Sequence, residues 1–519
     1  MTASRGPRNL TTVAMILAVS MTFIDQTIVA IASPDLQKGL DLTSSQGAWV
    51  INAYLVALAA TFALGGRLAD VWGRRRMVVV GVVGFAATSV LCAVTPAASW
   101  AATWLIGSRV LQGVFAALLM PAAVSIVFSS AAPERRGRTM AMFFGLTGAF
   151  TALGPLIGGH LVEQSWRSIF WINVPVAVAA LVVIAMARIP EHRTPGRIDW
   201  SGAALVAGGM AASVVGFAQS STWGWDSLAT WGCLVVGLAL LVAFVLVERR
   251  TAVPLIRLSV FRSRGFSTDS GVLFFAMIAF VPVSYFLSVY AQTSLGQTPV
   301  QTSQLMLCFF AGYFVAAQVG GRVFDARGVR PTMLLGCLVG IAGFVWWATQ
   351  VTTLTPQAQL WPMAVAGAGL GMLIGPVSAD AVSRAVDASY GEVTGVNQTV
   401  RNYGSALGMA VLGTLATHVF SHSFTASLVS HGVPAASAAQ IAQQASTGAG
   451  GTAGLSALPE AMRGVVRTAA AQDFALGMRV VLVGMATALA IAFLIALRHP
   501  GDRPAAAVVE SEELVTTAA

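Results

Sequence analysis

The stretch Gly66-Arg67-Leu68-Ala69-Asp70-Val71-Trp72-Gly73-Arg74 returns later in the chain as Gly321-Arg322-Val323-Phe324-Asp325-Ala326-Arg327-Gly328-Val329-Arg330. Both copies read G-R-x-x-D-x-x-G and lead to a basic residue, and both follow an apolar run. A motif repeated beside equivalent runs marks an internal duplication. The chain is then two related halves, and the surrounding sequence has to say what kind.

Composition sets the environment. Of the 519 residues, 56% are hydrophobic and only 10% charged, with a mean hydropathy of +0.76. Soluble domains carry about 25% charged residues, so this is an all-α polytopic membrane protein. The net charge of +9 is almost all arginine, Lys38 being the only lysine. These arginines stand in short clusters between apolar runs, a loop pattern rather than a nucleic-acid-binding face. Cys92, Cys233, Cys308 and Cys337 all lie inside apolar runs without CxxC spacing, which indicates packing rather than disulfides or a metal knuckle. Ala30-Ile31-Ala32 has the small-residue form of a signal cleavage site, but the run before it is too long for a signal core and holds Asp25, so it reads as a retained helix.

Apolar runs recur at 10–32, 47–66, 77–95, 100–128, 138–160, 168–188, 201–220, 229–247, 267–290, 303–323, 331–350, 358–380, 394–418 and 474–497, about 14 spans. Basic residues mark the N-terminus (Arg5, Arg8) and the even connections: Arg67 and Arg74–Arg76, Arg135–Arg138, Arg249–Arg264, and Arg322–Arg330. Odd connections such as TPAASW carry almost none. The even connections and both termini are therefore expected on the cytoplasmic side of the cell membrane. If spans seven and eight are an insertion, the tenth span becomes the counterpart of the second. The expected organisation is a six-helix bundle over 1–190, two additional transmembrane helices and a linker over 191–264, a second six-helix bundle over 265–499 and a cytoplasmic tail over 500–519. An external connection over about 421–472 is rich in Ala, Gly, Ser and Gln, with room for a short surface helix. Duplication of this kind is typical of secondary transporters, which bind substrate between the halves near the midplane.

Asp25 is the only charge between Leu10 and Ala32. At about 1.5 Å per residue it lies roughly 22 Å up from Leu10, while Arg109 lies roughly 13 Å below the outer surface, counted from Trp100. In a core about 30 Å thick these depths differ by only about 5 Å, so the two side chains can face a shared cavity. Intramembrane ionisable residues are usually functional. Asp25 then reads as a titratable group for proton or substrate, on which desolvation and a neighbouring guanidinium act in opposite directions. The competing reading is a carboxyl that only hydrogen-bonds a neighbouring helix.

Several stretches, in order, resemble the major facilitator superfamily. GGRLADVWGRRR is similar to its loop between helices two and three, which implies a conformational switch at Gly66, Asp70, Gly73 and Arg74. RVLQGVFAA, Arg109–Ala117, resembles the fourth-helix motif, whose arginine is implicated in proton coupling. LGPLIGG resembles the antiporter-type fifth helix, placing Gly154, Pro155, Gly158 and Gly159 in it, although Phe150 stands where that pattern has glycine. Gly154 and Gly158 also form GxxxG, which serves close helix packing in any membrane protein. FIDQTIVAIASPDL, WRSIFWINVP and VTGVNQTVRNYGSALGMA resemble segments of the 14-helix drug:proton antiporters.

That resemblance implies the major facilitator fold and proton-coupled efflux of amphipathic organic compounds such as drugs, antibiotics or dyes, driven by the proton gradient with no cofactor. A single chain holds both halves, so a monomer suffices; the expected partners are substrate, protons and the lipid bilayer, with no nucleic acid. A mostly apolar cavity suits drug-like ligands, and Tyr54, Phe143, Tyr285 and Tyr313 are candidate lining residues, each equally able to pack or face lipid. No carboxylate lies near mid-depth in the second half, Asp380 and Asp387 falling towards the cytoplasmic end, which favours neutral, zwitterionic or monocationic substrates. His418 and His422 have metal-compatible i, i+4 spacing and His431 lies nearby, but no carboxylate or cysteine completes a site, so no metal is expected. GxxxxGK[ST] is absent and no nucleophile–base constellation is evident, so an enzyme is not expected. The alternatives are a dedicated exporter of one metabolite, antibiotic or lipid, and a non-transporting receptor on a transporter fold.

Overall fold

The computed structural model describes residues 6–130, 136–191, 193, 196–251, 254–256, 258–384, 390–447 and 460–501. Arg5, Arg135, Arg257, Asp387, residues 448–459 of the external connection and residues 502–519 of the tail lie outside the described residues.

Every apolar run becomes helix. The first half comprises α1 (Gly6–Leu40), α2 (Ser44–Trp72), α3 (Arg74–Ala93), α4 (Ala101–Ser130), α5 (Arg136–Gln164), α6 (Ser168–Trp171) and α7 (Asn173–Ala187). α6 and α7 together make one span, 168–187. Two further helices follow, α8 (Trp200–Trp223) and α9 (Leu228–Glu248). The second half comprises α10 (Arg264–Thr293), α11 (Pro299–Arg327), α12 (Val329–Gln350), α13 (Pro356–Ser383), α14 (Tyr390–Ser430), α15 (Ala435–Thr447) and α16 (Glu460–Ala496). Thirteen of these spans are long and apolar enough to cross a membrane, and α5, at 29 residues, adds the fourteenth run of the sequence.

The duplication is visible in the packing. α4 packs against α2 and α3 as α13 packs against α11 and α12. Equivalent glycines make the same close approach: a Cβ at Gly65 would lie 2.0 Å from the Ala117 carbonyl of α4, and one at Gly320 would lie 2.7 Å from the Met372 carbonyl of α13. The motif's second glycine is the turn. Gly73 (φ 114°) and Gly328 (φ 82°) each end one helix and begin the next in a conformation open mainly to glycine. Gly66 itself meets nothing closer than the Pro121 Cβ at 3.6 Å. The close approach of α2 to α4 is therefore carried by its neighbour Gly65.

α8 packs on α2 and α14, joining the two halves along one seam. Ser213 Oγ lies 2.8 Å from Tyr403 Oη, and Thr414 Oγ1 donates to the Phe217 carbonyl at 2.9 Å. α9 packs behind α8 and leaves much of its apolar surface outward, including Trp231, Val235 and Leu238. At the end of the bundle reached by the odd connections the halves also touch. Ser288 Oγ and Gln292 Nε2 of α10 donate to the Ile31 carbonyl of α1, at 3.4 and 3.1 Å.

Among the described residues, the connection expected over about 421–472 is more helical than its composition suggested. α14 runs on to Ser430 and α16 begins at Glu460, with α15 between them. At about 1.5 Å per residue α14 is about 60 Å long, twice the hydrocarbon core, so its end projects beyond the bilayer. There Phe420, Phe424 and Leu428 bury against Ala438 and Ala442 of α15 and Val466 of α16.

Candidate functional site

Asp25 of α1 is fully buried in the first half, and so are Arg109 and Gln112 of α4. Arg109 Nη1 donates to Asp25 Oδ2 at 2.5 Å and to Gln112 Oε1 at 2.5 Å. Its Nε donates to the Val50 carbonyl of α2 at 2.9 Å. Gln112 Nε2 donates to Asp25 Oδ1 at 3.3 Å and to Ser89 Oγ of α3 at 2.7 Å. Asn173 Nδ2, at the start of α7, reaches the same hydroxyl at 3.0 Å. The guanidinium carbon sits 4.5 Å from the Tyr54 ring centroid, a cation–π contact, and Phe85 meets that ring edge-on.

Five helices of one half thus contribute to one network around a single carboxylate. Isolated charges at this depth are costly, and pairing with satisfied hydrogen bonds makes them tolerable. The arrangement also admits a second state. If Asp25 takes a proton and its ion pair is lost, Arg109 keeps Gln112 Oε1, the Val50 carbonyl and the Tyr54 face. The cation is never left bare, which a site that exchanges a proton requires.

The glycines of α5 hold this site from behind. A Cβ at Gly154 would lie 2.0 Å from Thr27 Oγ1, and one at Gly158 would lie 2.7 Å from Ile28 Cγ1. Both contacted residues follow closely after Asp25 on α1. Gly159 faces the other half: a Cβ there would lie 2.1 Å from Ser303 Oγ and 3.0 Å from the Pro299 carbonyl, both of α11. Pro155 is buried between these contacts. The small residues therefore allow α5 to lie against α1 on one side and α11 on the other.

The turn between α2 and α3 carries a compact charge cluster. Arg74 Nη2 and Nε both donate to Asp70 Oδ1, at 2.9 and 3.1 Å. Arg67 donates twice to the Arg197 carbonyl, at 3.0 and 2.9 Å, tying α2 to the segment before α8. In the second copy Asp325 is exposed and forms no ion pair among the described residues.

The candidate lining aromatics divide. Tyr54 belongs to the Asp25–Arg109 site. Phe143 is fully buried in the first half's core. Tyr285 packs edge-on against Phe286 at 5.3 Å, and Tyr313 of α11 lies 5.0 Å from Phe280 of α10, both in the second half. His418 and His422 are exposed on α14, and His431 Nδ1 lies 2.7 Å from the Ser427 carbonyl.

A cluster that no motif announced sits at the opposite end of the second half. His499 Nε2 lies 3.5 Å from Asp269 Oδ1 of α10 and 3.4 Å from Asp380 Oδ2 of α13, and Arg384 also pairs with Asp380. The three potential donor atoms lie within metal-binding range of one another. His499 Nδ1 accepts the Gly501 N–H at 3.2 Å, which leaves Nε2 as the ring nitrogen facing the carboxylates. The geometry is that of a tight buried cluster of one imidazole and two carboxylates, drawn from α10, α13 and the segment after α16.

A family description, Major Facilitator Superfamily, matches residues 15–409. The chain belongs to the Major Facilitator Superfamily. Among its relatives, the tetracenomycin C resistance and export protein of Streptomyces glaucescens is 34% identical over 79% of this chain and 76% of its own. The puromycin resistance protein pur8 of Streptomyces alboniger is 33% identical, covering 79% and 82%. Multidrug resistance protein 3 of Bacillus subtilis is 27% identical, covering 81% and 82%. The fold is shared with a bacterial homologue of the human lysosomal transporter Spinster in an inward-facing, unoccupied conformation (TM-score 0.66, 16% identity, 97% of this chain and 100% of that one).

In this major facilitator chain, the depths of Asp25 and Arg109 in the sequence allowed them to meet, and they do, but nothing in their spacing or composition singled out Gln112, Ser89 or Asn173. Gln112 lies within the quoted RVLQGVFAA, three residues after Arg109 and so on the same helix face. Asn173 lies within WRSIFWINVP. The arginine of that segment is structural. Arg167 Nη1 donates to the Ala93 and Thr95 carbonyls at 2.8 Å each, capping the end of α3.

Proposed function

We propose that this chain exports amphipathic organic compounds across the cytoplasmic membrane in exchange for protons, with both termini on the cytoplasmic side and the proton gradient as its energy source. The observation that carries this reading is the fully buried Asp25–Arg109–Gln112 network, built to hold its cation whether or not Asp25 carries a proton. The names of the relatives, resistance and export proteins for structurally different antibiotics, support export of organic compounds. Alternating access follows from the two-halved fold: α5 and α11 touch at Gly159, α1 and α10 at Ile31, and opening these contacts would expose the interior from that end. In this scheme Asp25 carries the proton, Arg109 senses its charge, and the Asp70–Arg74 turn steadies the cytoplasmic ends of α2 and α3. One chain is the transporting unit.

Proteoliposomes holding the purified chain, given an imposed pH gradient and a panel of fluorescent dyes and antibiotics, test the proposal. Accumulation of at least one compound, abolished by a protonophore, is expected. Movement of every compound at the same rate with and without the gradient would exclude proton antiport.

A further inference from the structure

A cleft of about 670 Å³ opens beside the α2–α3 turn, where Arg75 and Arg76 begin α3 and Glu191 and Arg193 follow α7. Three arginines and one glutamate among its lining residues leave a net charge of +2. Arg74 is taken by Asp70 and does not line it. Glu191 is largely committed: its Oε1 accepts the Arg75 backbone N–H at 3.1 Å, and its Oε2 lies 3.9 Å from Arg76 Nε, too far for a strong bond. The Arg76 side chain is 64% exposed, and neither Arg75 nor Arg193 forms an ion pair among the described residues. The cleft therefore presents uncompensated guanidinium groups.

Its surroundings say which anion fits. Trp72, 49% exposed, stands at its edge, a residue suited to the membrane–water boundary. Along α3, Val80 and Val83 turn outward, 42% and 49% exposed, one to two turns beyond the arginines and within the spanning helix. A charged pocket at the boundary thus continues into an apolar, outward-facing strip. A free anion would use only the first; a phospholipid would use both.

We propose that this cleft binds the headgroup of an anionic phospholipid, its phosphate held by Arg75, Arg76 and Arg193 and its acyl chains lying along Val80 and Val83. Basic pockets on the cytoplasmic side of membrane proteins recognise such headgroups. The assignment to the cytoplasmic leaflet rests on the orientation proposed above. A phosphate here would compete with Glu191 for Arg76 and fasten Arg193 to the α2–α3 turn.

Native mass spectrometry of the full chain, released from mixed micelles of phosphatidylglycerol and phosphatidylcholine, tests this without any transport readout, so its failure is separable from failure of the export reading. The wild-type protein should retain phosphatidylglycerol in preference to phosphatidylcholine. R75Q/R76Q/R193Q should lose at least about fivefold of that preference, the effect of one surface charge, and R75K/R76K/R193K should keep most of it. R193Q alone, outside any helix, should lose roughly fivefold and serves if the triple variant does not fold. Equal retention of both lipids by wild type, or unchanged preference in the glutamine variants, would overturn the proposal. Millimolar inorganic phosphate should leave the lipid bound; displacement by it would show a phosphate site without a lipid role.

Discussion

At Arg109 the cost of a buried charge can be measured directly. Truncation to alanine leaves Asp25 without its cation, and losing one partner of a buried pair costs about 3–5 kcal/mol. Asp25→Asn/Arg109→Gln removes both charges at once and should be the more stable of the two proteins, with thermal midpoints in detergent as the measure. An Arg109→Ala protein as stable as the double variant would mean the pair contributes no coupling. Gln112→Ala should cost about 1–3 kcal/mol by the same measure, since Arg109, Asp25 and Ser89 each lose a hydrogen-bond partner there. An unchanged midpoint would show that the amide is not structurally engaged. The carboxylate and the arginine were legible in the sequence because a charge inside an apolar run has so few explanations. Gln112 was not, because a glutamine in a helix carries no such signal until its neighbours are known.

At the scale of the helix pair, two adjacent glycines should behave oppositely. Gly65→Ala places a methyl 2.0 Å from the Ala117 carbonyl and should destabilise by about 1–3 kcal/mol, as overpacking does. Gly66→Ala meets only Pro121, its Cβ at 3.6 Å, and should be neutral or stabilising by up to about 1 kcal/mol, because alanine is the better helix former. Thermal midpoints separate the two, and a larger loss at Gly66 would contradict the packing described. Gly159→Val should prevent α5 from closing on α11, so a cysteine placed at Ile31 should react faster with a membrane-impermeant thiol reagent than in the parent. Equal labelling would remove Gly159 from that closure. The spans were legible because the bilayer imposes a length on every apolar run. The extensions of α14 and α16 were not, since beyond the membrane Ala, Gly, Ser and Gln composition gives no periodic apolar stripe to separate helix from loop.

For the molecule as a whole, the duplicated G-R-x-x-D-x-x-G announced two halves, and the close approach of Gly65 recurs at Gly320 as the turn of Gly73 recurs at Gly328. The cluster of Asp269, Asp380 and His499 was illegible because its members are separated by more than a hundred residues each and meet only when α10, α13 and the segment after α16 pack together. The halves are not chemically equal: the ion pair at Asp70 has no match at Asp325 among the described residues, and the buried Asp25–Arg109 network lies in the first half. The role proposed for this network is to carry the proton that drives export. The direct measurement is proton release from detergent-solubilised protein, in weakly buffered solution with a pH indicator, on adding a compound shown to be transported. Wild type should release protons on binding, and Asp25→Asn, still folded and still binding the compound, should release none. Equal release from the two proteins would place the coupling proton on another residue and contradict the role proposed for Asp25.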